Sequence, residues 1–127
     1  HDLEIVEMHH NRKQDAPSGT AHSLARAAAE ARGQRPEDHT LYGRQGNIGP
    51  RVAREIGVHA LRGGDVAGEH TVYLAGAGER LALGHLATSR QAFADGALRA
   101  ARWVVKQPPG LYSMQDVMGF SRRTSGT

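Results

Sequence analysis

The chain has 127 residues, of which 39% are apolar and only a handful aromatic, and a formal net charge of +3. That length fits one domain, with a modest core of mostly Ala, Leu and Val that is expected to lean on a partner surface. With no cysteine in the chain, a disulfide framework and a thiolate metal site are excluded, and no run approaches the roughly 20 apolar residues of a membrane span.

The positive charge raises the question of nucleic acid, but the basic residues do not cluster outside Arg122-Arg123. A scattered distribution argues against a nucleic-acid footprint. All sixteen basic residues except Lys13 and Lys106 are arginine. A lysine inside a polar cluster therefore stands out, because Arg and Lys are not equivalent where a proton must move. The chain opens on His1-Asp2-Leu3; without an initiator Met, its start is expected to be processed or cut. A cytoplasmic location is the expectation.

Leu3 to Met8 alternates and carries Ile5 and Val6, which predicts a strand delivering His9 and His10 to its C-terminal end. Asn11 to Ala16 is polar loop. Pro17 in the first turn, with Ser18 or Asp15 as cap, opens a helix whose inner face is Ala21, Leu24, Ala25 and Ala28, stopping at Gly33. Residues 34–54 read as a long loop with at most a short strand at Thr40 to Tyr42. Glu55 to Leu61 is a strand, and Arg62-Gly63-Gly64-Asp65 a turn. Gly68 to Ala75 and Arg80 to Ala87 form a hairpin through Gly76-Ala77-Gly78-Glu79. Arg90 to Gln107 is an amphipathic helix with Phe93, Ala97, Leu98, Ala101, Val104 and Val105 on one face, ended by Pro108-Pro109-Gly110. A helical turn is expected at Met114 to Met118, and Ser121 to Thr127 as disordered tail.

These elements predict an α+β fold: a mixed sheet with two main helices on one face. The strands carry apolar residues on both sides, as Leu81 and Leu83 against Ala82 and Leu86 show. The second face is therefore expected to pack in a homo-oligomer.

Glu7 to Ala21 gathers the chemistry. Imidazoles titrate near neutral pH and can give or take a proton. A Ser18-Gly19-Thr20 helix entry offers free backbone N–H groups, two hydroxyls and a positive dipole end, which suit an anion. Proton donors beside an anion cradle point to a small acidic molecule. Other chemistries fit less well. No metal site is expected, since His9 and His10 are adjacent on extended chain and point to opposite sides. Gly76-Ala77-Gly78 is a Gly-x-Gly between two strands, so no cofactor-binding residues are assigned in this chain. No Gly-x-Ser-x-Gly elbow makes Ser18 a nucleophile. His59, His70 and His85 are expected to be satisfied interior or edge histidines, although Arg62 to Glu69, which leads into His70, is unusually polar and Gly-rich for plain structure.

The string Glu-x-His-His-x-x-Lys-x-Asp-Ala-Pro-Ser-Gly-Thr-Ala at Glu7 to Ala21 resembles the signature of the dihydrodipicolinate reductases. The similarity continues through Ile56-Gly57-Val58, Arg62 to Thr71, Ser89 to Ala97 and Gly110 to Val117. The resemblance implies the substrate-binding and tetramerisation domain, 1–120, without the dinucleotide-binding domain that precedes it in the family. It implies reduction of 4-hydroxy-tetrahydrodipicolinate by NADPH or NADH, in lysine and diaminopimelate biosynthesis. His9 corresponds to the catalytic proton-transfer group and Lys13 to the second catalytic group. His10, Ser18, Gly19 and Thr20 fall on the substrate side, with Gly19 and Thr20 cradling a carboxylate of a small dicarboxylate. A homotetramer is implied, with neither nucleic acid nor membrane as partner. The alternative is a ligand-binding or assembly domain with no activity of its own.

Overall fold

The computed structural model describes residues 1–120; the tail expected at 121–127 lies outside them. The chain divides into two compact units, His1–Thr88 and Ser89–Thr127. The first contains β1 (Asp2–His9), α1 (Gly19–Ala31), α2 (Pro36–His39), β2 (Thr40–Tyr42), β3 (Ile56–Arg62), β4 (Gly68–Gly76) and β5 (Glu79–Ala87). The strands form one sheet in the order β2-β3-β1-β4-β5. β1 runs parallel to β3 and antiparallel to β4, so the sheet is mixed and the fold α+β, as the sequence predicts. The central strand is the one that leads into the histidines.

Alternation along β1 sends Leu3, Ile5 and Glu7 to one face, where all three are buried. Ile56 and Val58 of β3 join them, and α1 covers this face with Ala21, Ala25 and Ala29. These alanines recur every fourth residue and so stack along one side of the helix. The expected inner face omits Ala29, while Leu24 and Ala28 flank the buried stripe instead of forming it. Alanine loses almost no side-chain entropy on burial and lets a helix lie close to a sheet. Of the two expected caps Ser18 is the one used, its side chain accepting the Ala21 N–H, and Pro17 lies just before the helix instead of in its first turn. The hairpin turn is tighter than expected: β4 runs to Gly76 and β5 begins at Glu79.

The 34–54 region holds more than the expected loop and short strand. A four-residue helix, α2, precedes β2, with Pro36 in its first turn. The remainder, 43–55, is held by charge on the other face of the sheet. Glu4 accepts two hydrogen bonds from Arg44 (2.7 and 2.8 Å), one from Arg51 (3.0 Å) and pairs with His59 (2.6 Å). Arg44 also binds Glu55, and Arg51 reaches the carbonyls of Leu3 (3.0 Å) and Glu55 (2.6 Å). A Cβ on Gly57, opposite Glu4, would lie 1.9 Å from a Glu4 carboxylate oxygen, so a larger residue there would push the carboxylate out of this network. His59 is thus a satisfied histidine, as expected.

In the second unit, α3 (Gln91–Val104) is followed by α4 (Met114–Val117). α3 is shorter than the predicted 90–107 because its end tightens, with Lys106 and Gln107 donating to the carbonyls three residues back. Trp103 and Tyr112 meet edge to face at 5.1 Å, and the Tyr112 hydroxyl donates to the Pro108 carbonyl. Ser113 and Asp116 close a capping box on α4. Among the described residues no helix is long and apolar enough to cross a membrane.

Burial alone would raise the Glu4 carboxyl, but the hydrogen bonds from Arg44, His59 and Arg51 outweigh it and bring it down to about 2. A carboxyl depressed on folding contributes stability above its unfolded value and loses it as pH falls through the folded one. The urea midpoint should therefore drop as pH falls from about 4.5 towards 2. Glu4→Gln, measured over the same range, should show a lower starting midpoint and a shallower fall.

Candidate functional site

The C-terminal end of β1 and the N-terminal end of α1 meet at one carboxylate. Glu7 is 1% exposed, and its two oxygens accept four hydrogen bonds. Arg62, at the end of β3, contributes two (2.8 and 2.9 Å). The Ser18 backbone N–H gives one (3.0 Å) and His9 Nδ1 the last (2.6 Å). Burial raises this carboxyl, yet the Arg62, His9 and Ser18 hydrogen bonds together hold it below the usual range. Glu7 and His9 are two residues apart on a strand, so they share a face.

Ser18 joins a second histidine to the group. Its Oγ, which accepts from the Ala21 N–H, lies 2.8 Å from His70 Nε2. His70 and His9 meet ring edge to ring face at 5.2 Å. Burial lowers the His70 pKa, as do the charges of His9, His85 and Lys13, against the opposing pull of the Glu7 carboxylate. His70 is therefore a satisfied histidine that also belongs to this cluster. A Cβ on Gly68 would lie 3.2 Å from His9 Nε2, so glycine there leaves that nitrogen room.

The loop between β1 and α1 is pinned at several points. Lys13 N–H donates to the His10 carbonyl (3.1 Å), Asn11 N–H to Gly64 and Gly63 N–H to His9. Gly64 adopts φ +51°, a left-handed conformation that glycine takes without strain. Arg62 also donates to the Asp15 carbonyl (2.8 Å), tying the loop to the Glu7 carboxylate. The Ala16–Pro17 peptide is cis. The Lys13 ammonium binds both oxygens of Asp15 (2.8 and 2.9 Å). His10 is half-buried and lies just past the end of β1.

At the start of α1, Gly19 and Thr20 are exposed. The first N–H groups of a helix have no intrahelical acceptor. Ser18 takes that of Ala21, and among the described residues those of Gly19 and Thr20 have no hydrogen-bond acceptor. A Cβ on Gly19 would meet nothing within 4 Å, so the approach is open. Thr20 borders a cleft of about 400 Å³, lined also by Leu24, His70, Val72, Leu83 and His85.

His9 and His10 thus stand at the end of β1, Ser18, Gly19 and Thr20 at the start of α1, and Lys13 on the loop between, with Arg62 binding both Glu7 and the loop. Glu7, Arg62, His70 and Gly68 escaped the sequence-derived set as roles. Spacing gives Glu7 and His9 a common face, but only the β1–β3 and β1–β4 register brings Arg62 and His70 beside them. Gly76 and Gly78 belong to the β4–β5 hairpin, between two strands as the sequence predicts. Among the described residues no group of three or more His, Asp or Glu stands ready to hold a metal ion.

Fold and site together define a mixed-sheet α+β domain in which imidazole and carboxylate groups border an open helix N-terminus. The family model "Dihydrodipicolinate reductase, C-terminus" matches residues 1–118, and the chain belongs to that family. It is 60% identical over 121 residues to 4-hydroxy-tetrahydrodipicolinate reductase of Myxococcus xanthus, covering 95% of this chain and 44% of that protein. To the enzyme of the same name from Akkermansia muciniphila it is 55% identical, covering 95% and 49%. A dipicolinate-bound dihydrodipicolinate reductase from Paenisporosarcina sp. TG-14 superposes with a TM-score of 0.66 at 27% identity, over 91% of this chain and 44% of that one. The chain thus spans about half the length of the relatives it matches.

Ser18 both caps α1 and engages His70. Loss of an N-cap costs about 1 kcal/mol. Ser18→Ala should lower unfolding free energy by about 1–2 kcal/mol in urea titration, the upper end reflecting an orphaned His70 nitrogen.

Proposed function

We propose that this chain is the substrate-binding part of a 4-hydroxy-tetrahydrodipicolinate reductase that uses NADPH or NADH, acting in the cytoplasm in lysine and diaminopimelate biosynthesis. One observation carries the reading. His9, the Lys13 loop and the open N–H groups of Gly19 and Thr20 are assembled around the Glu7 carboxylate, in a domain whose structural neighbour holds dipicolinate.

In this reading the substrate is a cyclic imine with two carboxylates. Gly19 and Thr20 receive one carboxylate on their backbone N–H groups, aided by the positive end of α1. The Thr20 and Ser18 hydroxyls flank it. Lys13 turns from Asp15 to a substrate carboxylate, one negative partner replacing another, and serves as the second catalytic group. His10 completes the binding side. His9 exchanges the proton that accompanies reduction. NADPH or NADH supplies the hydride when bound, and this chain's residues supply recognition and proton transfer. Nothing else in the site is suited to redox chemistry, since histidine, lysine, serine and threonine move protons and bind anions.

Calorimetric titration with pyridine-2,6-dicarboxylate tests the reading. The folded wild-type chain should bind it, and Lys13→Ala should lose at least tenfold in affinity, in line with about 1.5–3 kcal/mol for a hydrogen bond to a charged group. A folded wild type that binds nothing removes the substrate-domain assignment from the isolated chain.

The same reading includes a homotetramer. β5 is an edge strand with Leu81, Leu83 and Leu86 between 54% and 58% exposed, and an unpaired apolar edge favours association. Light scattering of the purified chain should give a mass near four chains; a single-chain mass counts against the assembly.

A further inference from the structure

His9 is held by one ring nitrogen, and the group that holds it cannot donate. Glu7 is kept ionised by the Arg62 guanidinium and the Ser18 N–H. An ionised carboxylate only accepts hydrogen bonds. The 2.6 Å contact between Glu7 Oε2 and His9 Nδ1 therefore needs a proton on Nδ1. The remaining nitrogen, Nε2, takes no part in that contact and faces Gly68, where a Cβ would stand 3.2 Å from it.

We propose that Glu7 is a positioning residue that fixes His9 as the Nδ1–H tautomer and thereby makes Nε2 the nitrogen that exchanges a proton with the bound imine. The inference rests on His9 being the proton-transfer group of the proposed reductase. It goes further in naming the atom that reacts and the residue that selects it. The neutral ring presents a lone pair at Nε2 and can accept a proton there. The imidazolium presents Nε2–H and can deliver it. In both states Nδ1–H stays on Glu7, so the ring does not have to turn between them.

Arg62 makes this arrangement hard to replace. Each Glu7 oxygen accepts from one Arg62 nitrogen and one other donor: Oε1 from Ser18 N–H, Oε2 from His9. In Glu7→Gln one oxygen becomes an NH₂ group. Placed at Oε1 it would face two fixed donors, the Ser18 N–H and Arg62. Placed at Oε2 it faces Arg62 and an imidazole, and an imidazole can change tautomer. The second orientation has the smaller conflict. It donates to Nδ1 and moves the His9 proton to Nε2. A conservative substitution should thus reverse the tautomer.

The test is a ¹⁵N spectrum of the imidazole rings of the 127-residue chain, without ligand, on the alkaline side of the imidazole titration. His9 is assigned by the loss of its signals in His9→Asn. The wild type should show protonated, pyrrole-type Nδ1 and pyridine-type Nε2 at His9, and folded Glu7→Gln should show the reverse. A wild type that is mainly Nε2–H, or an even mixture, overturns the proposal. So does a folded Glu7→Gln that keeps Nδ1–H. If Glu7→Gln does not fold, the wild-type spectrum decides alone: a pyrrole-type Nδ1 supports the assignment, and a pyrrole-type Nε2 or an even mixture overturns it. Because no ligand is present, a failed dicarboxylate titration would leave this result standing and would bear only on the proposed function.

Discussion

The Glu7 carboxylate is the point on which the first unit turns. It is buried beneath α1, takes four hydrogen bonds, and receives them from three separate parts of the chain: β1 itself, the end of β3 and the start of α1. Ion pairs buried in this way are weak evidence for stability, because desolvation offsets most of their attraction. Breaking one is another matter, costing about 3–5 kcal/mol when a charge is left unpaired. The pair therefore enforces geometry more than it stabilises. With Glu7 present, Arg62 and the Ser18 N–H have one low-energy arrangement. Arg62 in turn reaches the Asp15 carbonyl, so the loop that carries Lys13 is fixed by the same charge.

Much of this was legible in the residues and some was not. The strand at Leu3 to Met8, the long alanine helix, the β4–β5 hairpin and the mixed sheet follow from local period and turn chemistry. The cluster at Glu7 to Ala21 announces itself, because titratable groups and a helix entry are contiguous there. Arg62 and His70 are a different case. They lie 55 and 63 residues after Glu7 in number, and only strand register sets them beside it. His70 looks in sequence like any strand histidine; its bond to Ser18 is a tertiary fact. Elements without a strong period were also harder. α2 is four residues long, too short to show helical periodicity, and Pro36 was its one mark.

The loop at 43–55 shows how charge can do what an apolar core does elsewhere. Its glycines and lack of period read as irregular, which is correct for the backbone. Its anchoring comes from Arg44 and Arg51, two residues that composition alone counts as scattered surface charge. They converge on Glu4, next to a glycine whose missing side chain makes room for the carboxylate. The two faces of β1 are thus organised alike: each presents one glutamate that binds arginine from later in the chain, two at Glu4 and one at Glu7. One holds the loop, and the other holds the site.

The buried side of α1 consists of methyl groups from Ala21, Ala25 and Ala29, and a methyl group is a spacer of nearly fixed height. The distance from helix to sheet also sets how far the Ser18 N–H stands from the Glu7 carboxylate, and where the open amides of Gly19 and Thr20 come to rest. A larger side chain at Ala21 would lift the helix entrance first, and with it the receiving end for an anion. The smallest residues in the core thereby act as the gauge of the site, and their freedom to vary is limited by recognition as well as by packing.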